Sequence, residues 1–152
     1  MLLSFGGVNA ATIAKGEWWR LVTSQFVHVY PVHAVVNATA ALLVGRQLER
    51  RHGAWTFVGV YLCAGIAGQA TAILTSAELV ATGASQAVMG ISAALIILAS
   101  YRLSNETAPA FGFIALSIAL DLVFAHTVKL PHLAGLVAGV AFGLLLSVSR
   151  QR

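Results

Sequence analysis

From Ala54 to Ser76, and again from Leu79 to Tyr101, the chain carries no charged side chain, and the run from Leu130 to Ser149 is the same. A hydrocarbon layer about 30 Å thick takes roughly 20 residues of helix, so uncharged stretches of this length decide the class of fold before any finer pattern is read. In lipid every backbone amide must find its partner inside its own helix or a closed barrel. No alternating strands of barrel type occur, so helices follow. Composition agrees: 59% of the 152 residues are hydrophobic and 9% charged, against about 25% charged in a soluble domain. Too few polar side chains remain to cover a globule in water, and much of the surface must face lipid. The expectation is an all-α membrane protein of one domain, residues 1–152. Intrinsic disorder is excluded, and the single cysteine, Cys63, excludes a disulfide framework.

Marked from charge to charge, five spans are expected at about 31–49, 54–76, 84–101, 108–125 and 131–149. Polar connections fall at Arg50 to Gly53, around Glu78, at Arg102 to Thr107 and around Lys129. Residues 1–30 are too short and too broken to span. Trp18 and Trp19 between Lys15 and Arg20 fit a loop lying at headgroup depth. Arg46, Arg50, Arg51, Arg102, Arg150 and Arg152 collect on one side of alternating spans, and Lys15, Arg20 and Lys129 on the other. The richer side is expected to be cytoplasmic, which puts the carboxyl terminus inside. The net charge of +4 is explained by this topology. With no basic stripe flanked by aromatics, nucleic acid is not expected as a partner.

An ionisable or strongly hydrogen-bonding group at membrane depth is costly and marks function by default. His33 and Asn37 lie in the first span, Ser85 opens the third after Gly83-Ala84, and His132 opens the fifth after Pro131. Alternation brings the starts of these three spans to one face. His132, Gly135, Gly139 and Gly143 share a helical stripe, and Gly90 with Ala94 repeats the spacing, so the third and fifth spans are expected to touch closely. Such a set suits acyl transfer: His132 as base for a Ser85 nucleophile, with the Ser85 amide, Asn37 and His33 as donors to an oxyanion. Asp121, the one acid away from the charged ends of the spans, could orient a histidine or reach water. Taken singly, Ser85 reads as a helix N-cap, His132 as an interfacial histidine, and His33 with Asn37 as a bridge between helices. His28 and His33 lack the companions of a metal site, so no metal or cofactor is expected. His52 and His126 are read as loop residues without a role.

Gly16-Glu17-Trp18-Trp19-Arg20 with Leu21 to His28, then His33 and Asn37, Gly45 and Glu49 ahead of Gly53, Gly83-Ala84-Ser85, and His132 with Gly135 and Gly139 together resemble the rhomboid intramembrane serine proteases. The resemblance implies a rhomboid-like bundle with five helices present of a six-helix core, the chain being short at its amino terminus. It also implies Trp19 and Arg20 in a membrane-embedded loop, a Ser85/His132 dyad with an oxyanion site, and cleavage of other proteins' transmembrane segments near their outer ends. Two positions depart from the pattern. Gln86 stands where the family has glycine, and is expected to crowd the cleft or hydrogen-bond Ser85. Met89 stands where many members pack an aromatic ring on the base. The alternative is a catalytically inactive rhomboid-like protein that binds transmembrane helices.

Overall fold

A computed structural model describes residues 1–76, 78–100, 104–123 and 129–149. Seven α-helices run through them: α1 (Ala10–Ala14), α2 (Arg20–Thr23), α3 (Pro31–His52), α4 (Ala54–Thr75), α5 (Ser85–Leu98), α6 (Ala108–Val123) and α7 (Lys129–Ser149). The five long ones fall where the spans are expected, with differences at their ends. On length and apolarity alone α4 and α7 can each cross a membrane. α3 qualifies only together with the Arg20–Phe26 segment, from which it turns by 101°. α3 begins with Pro31 at its first turn, where proline's missing N–H costs nothing. It runs on through the expected polar connection, because Arg50, Arg51 and His52 sit well in a last turn, at the negative end of the helix dipole. His52 is therefore helical. Gly53 alone, at φ +87°, turns the chain into α4.

α5 is shorter than its expected span. Its 14 residues make about 21 Å of helix, less than a bilayer core. Ser100, in the left-handed region at φ 55°, lies just past its end. α5 is also the centre of the bundle: twelve of its residues are buried, and α7, α4, α3 and α6 surround it. The expected seam with α7 is present and has no room in it. A Cβ on Gly135 would meet the Gln86 carbonyl, one on Gly139 the Gly90 carbonyl, and one on Gly143 the Ile97 side chain. Gly90 in turn admits Ala64 of α4. Without a hydrophobic drive between helices in lipid, such close backbone packing is what holds α4, α5 and α7 together.

The amino-terminal segment is a compact knot of short turns. Asn9 and Thr12 form a reciprocal capping box at α1. Arg20 pairs with Glu17, lies over the Trp19 ring, and donates to the carbonyls of Leu3 at 2.6 Å and Gly7 at 3.0 Å. Trp18 and Trp19 remain exposed. The expected spans' last residues, Tyr101, Phe124 and Ala125, lie outside the described residues, as do Arg102, His126, Arg150 and Arg152.

Candidate active site

The approach to Ser85 is built from backbone held at several points. Val8 and Ala81 pair as a single antiparallel bridge, with N–H to carbonyl distances of 3.1 and 2.7 Å. Gly83 donates its N–H to the Ser24 carbonyl at 2.9 Å and accepts at its own carbonyl from Gln69 Nε2 at 3.0 Å. Its φ of +103° suits glycine, and a Cβ there would press on the His33 ring. From this turn the chain enters α5 with Ser85 as the first helical residue. First-turn amides have no acceptor within the helix, so the Ser85 N–H starts out free for a ligand, at the positive end of the helix dipole.

His132 lies three residues into the described part of α7, and the α5–α7 seam fixes the two helices against each other. Ser85 Oγ and His132 Nε2 are 2.8 Å apart. The other ring nitrogen, Nδ1, faces Asp121 of α6, with Oδ2 at 2.8 Å and Oδ1 at 3.0 Å. Of the two roles open to Asp121 in the sequence, contact with a histidine is the one the fold provides. These groups line a cavity of about 190 Å³ between α3 and α6, together with His33, Asn37, Thr82, Phe113 and Ser117.

The sequence-selected residues thus meet, though not all in the same posture. His33 stands beside Gly83, with its ring edge-on to His28 at 5.2 Å. Asn37 is buried and gives its amide to the His33 carbonyl at 3.0 Å, with His28 Nε2 at 3.4 Å. Its Oδ1 has no hydrogen-bond partner. The Gln86 side chain neither lines the cavity nor narrows it. It is buried among α4, α5 and α7 against Gly68, whose missing Cβ makes the space, and its Oε1 is 3.5 Å from Ser85 Oγ, well beyond the His132 nitrogen. Met89 is buried in a cluster with Ala84, Val88 and Phe113.

Two supporting groups escape the sequence reading. His28 Nε2 receives the Ala84 N–H at 3.4 Å, and burial pushes this imidazole below its ordinary value. With two N–H donors aimed at Nε2, the ring is neutral and carries its proton on Nδ1. Gln69 carries a strongly hydrogen-bonding side chain inside an otherwise apolar helix, a signal of the same kind as Asn37. His28 gives no such signal: nothing local ties it to a turn 56 residues away. No cluster of three or more His, Cys, Asp or Glu side chains suited to a metal occurs among the described residues.

A model of the Rhomboid domain matches residues 15–149. The chain is 32% identical over 142 residues to "Rhomboid protease GluP" of Bacillus subtilis (strain 168), an alignment covering 91% of this chain and 28% of that one. It is 27% identical over 147 residues to "Putative rhomboid protease YdcA" of the same organism, covering 92% and 73%. With "Rhomboid-like protease 3" of Toxoplasma gondii it is 31% identical over 147 residues, covering 92% and 56%.

Proposed function

The chain belongs to the rhomboid family of membrane proteins, and from that premise we propose that it is a serine endopeptidase that cuts membrane-protein substrates in or near their transmembrane segments. The observation that carries the proposal is the 2.8 Å approach of Ser85 Oγ to His132 Nε2 within a cavity whose wall also includes Val36, Phe113, Leu116 and Leu120. A serine hydroxyl is far too weak an acid to attack unaided, and a base at this distance is what makes it a nucleophile.

In the first step Ser85 Oγ bonds to the scissile carbonyl carbon, its proton passes to His132 Nε2, and the carbonyl electron pair moves onto oxygen. The Ser85 amide, at the helix start, and His33, beside Gly83, are the donors for that oxyanion. Asn37 joins them by turning its amide away from the His33 carbonyl. The tetrahedral centre then collapses, the C–N bond breaks, and Nε2 returns its proton to the leaving amine. Water repeats the sequence on the acyl-enzyme and frees Ser85. The recessed start of α5 and the opening between α3 and α6 suit an extended peptide arriving from the lipid. By the charge asymmetry the site faces the outer side of a cell membrane, with the carboxyl terminus in the cytoplasm.

The Gln86 side chain packs against Gly68 away from the cavity, and the bond its Oε1 accepts from Ser85 Oγ at 3.5 Å is longer than the 2.8 Å approach to His132, which supports the active reading over the inactive one. The test is labelling of the detergent-solubilised chain by a fluorophosphonate, a probe that reacts only with an activated serine. Labelling is expected in the wild-type chain and lost in both Ser85→Ala and His132→Ala. A folded chain that takes no label would overturn the enzyme reading and leave a helix-binding protein.

A further inference from the structure

We propose that Asp121 is a positioning residue for His132, whose carboxylate fixes the ring's tautomer and angle so that Nε2 faces Ser85 with a free lone pair. This rests on the protease reading above and deepens it, turning a pair of side chains into an ordered set of three on α5, α6 and α7.

Geometry comes first. One imidazole spans the gap, with Nε2 at 2.8 Å from the serine oxygen and Nδ1 at 2.8 and 3.0 Å from the two carboxylate oxygens. An ionised carboxylate only accepts, so the Nδ1 that faces it must donate. The ring's proton is thereby held on Nδ1, and Nε2 is left as the acceptor that proton removal from Ser85 requires. When Nε2 takes that proton the ring becomes a cation, and the carboxylate beside it stabilises the charge without itself being protonated.

Placement supplies the second, independent strand. Asp121 is the one acid in the apolar length of α6; the chain's other acids, Glu17, Glu49, Glu78 and Glu106, lie in loops, turns or the charged end of α3. It is 9% exposed, inside an apolar helix. A charge held at that depth needs a partner that donates, and His132 is one. His33 of α3 is the other titratable group on the cavity wall, and it offers no negative charge to replace it.

Three measurements on the full 152-residue chain in detergent separate positioning from a mere tie between helices. They compare the wild type with Asp121→Asn, which keeps the size of the side chain and its ability to hydrogen-bond. The fluorophosphonate labelling rate is expected to fall on the order of 10³- to 10⁴-fold, the scale on which serine proteases respond to loss of their carboxylate. The melting temperature is expected to stay near that of the wild type. In protein labelled with ¹⁵N-histidine, a low-field Nδ1–H proton, identified by its loss in His132→Ala, is expected in wild type and in Ser85→Ala but not in Asp121→Asn. Labelling of Asp121→Asn at the wild-type rate would overturn the proposal and leave the dyad intact. A wild-type chain that shows the low-field proton but takes no label would overturn the protease reading and keep the carboxylate–imidazole bond. Should Asp121→Asn fail to fold, the wild-type spectrum decides: the low-field proton supports the proposal and its absence overturns it.

Discussion

The two helices that meet α5 near Ser85 do so in opposite ways. Along α7 three glycines lie backbone to backbone or side chain on α5, and no methyl group fits. Along α6, Leu116, Ile118, Leu120 and Leu122 stay exposed, and Gly112 has open space where a Cβ would go. Ser85 and His132, the proposed nucleophile and base, therefore ride on the close-packed seam, while Asp121 and one wall of the cavity ride on the looser helix. Rigid placement belongs where atoms must stand within hydrogen-bond reach before the reaction. On the proposed protease reading, the wall that admits a peptide then lies on the element with fewer fixed contacts.

The sharpest way to break that contrast is Gly139→Ala. Its methyl would collide with the Gly90 backbone, which cannot swing aside as a side chain can. A loss of about 3 kcal/mol or more in detergent unfolding is expected, with fluorophosphonate labelling lost as His132 shifts. Unchanged stability would mean the seam is not close-packed. Gly83→Ala comes next, combining φ +103° with pressure on His33. A cost of about 1–2 kcal/mol is expected in the same unfolding assay, with labelling reduced because the Ser85 turn moves. The matching change on the loose helix, Gly112→Ala, is expected to go the other way. It meets nothing, and alanine is the better helix former, so a gain of about 0.5–1 kcal/mol should appear with labelling kept. Destabilisation there would show α6 packed as tightly as α7.

The smallest effect concerns acid. His28 is held neutral below its ordinary value of 6.5, so the stability it contributes is present above that value and lost as the pH falls beneath it. Melting temperatures taken from pH 7.5 to 5 should decline less steeply for His28→Gln, which can still accept the Ala84 N–H but does not titrate. Equal slopes would remove His28 from the acid response.

The helical membrane class, the five helical segments and the convergence of Ser85, His132, His33 and Asn37 on one cavity were legible in the sequence, since each rests on local properties: uncharged length, small-residue spacing, and polar groups costly at membrane depth. Helix ends were less legible. The charged end of α3 reads as a loop by charge but stays helical through its favourable dipole, and α5 stops short of its apolar run near Ser100. Gln86 illustrates the limit most clearly: beside Ser85 in sequence it looks like an obstruction, and only Gly68 on a neighbouring helix shows where its side chain goes. His28 under the Ala84 amide and Asp121 against His132 are likewise meetings across separate helices and turns. Sequence alone determined what the chain must bury and which polar groups stand out at membrane depth, because those follow from each residue's own free energy in lipid. Tertiary structure decided which side chains face one another, because hydrogen bonds depend on distances of a few ångströms between segments that sequence order leaves unrelated.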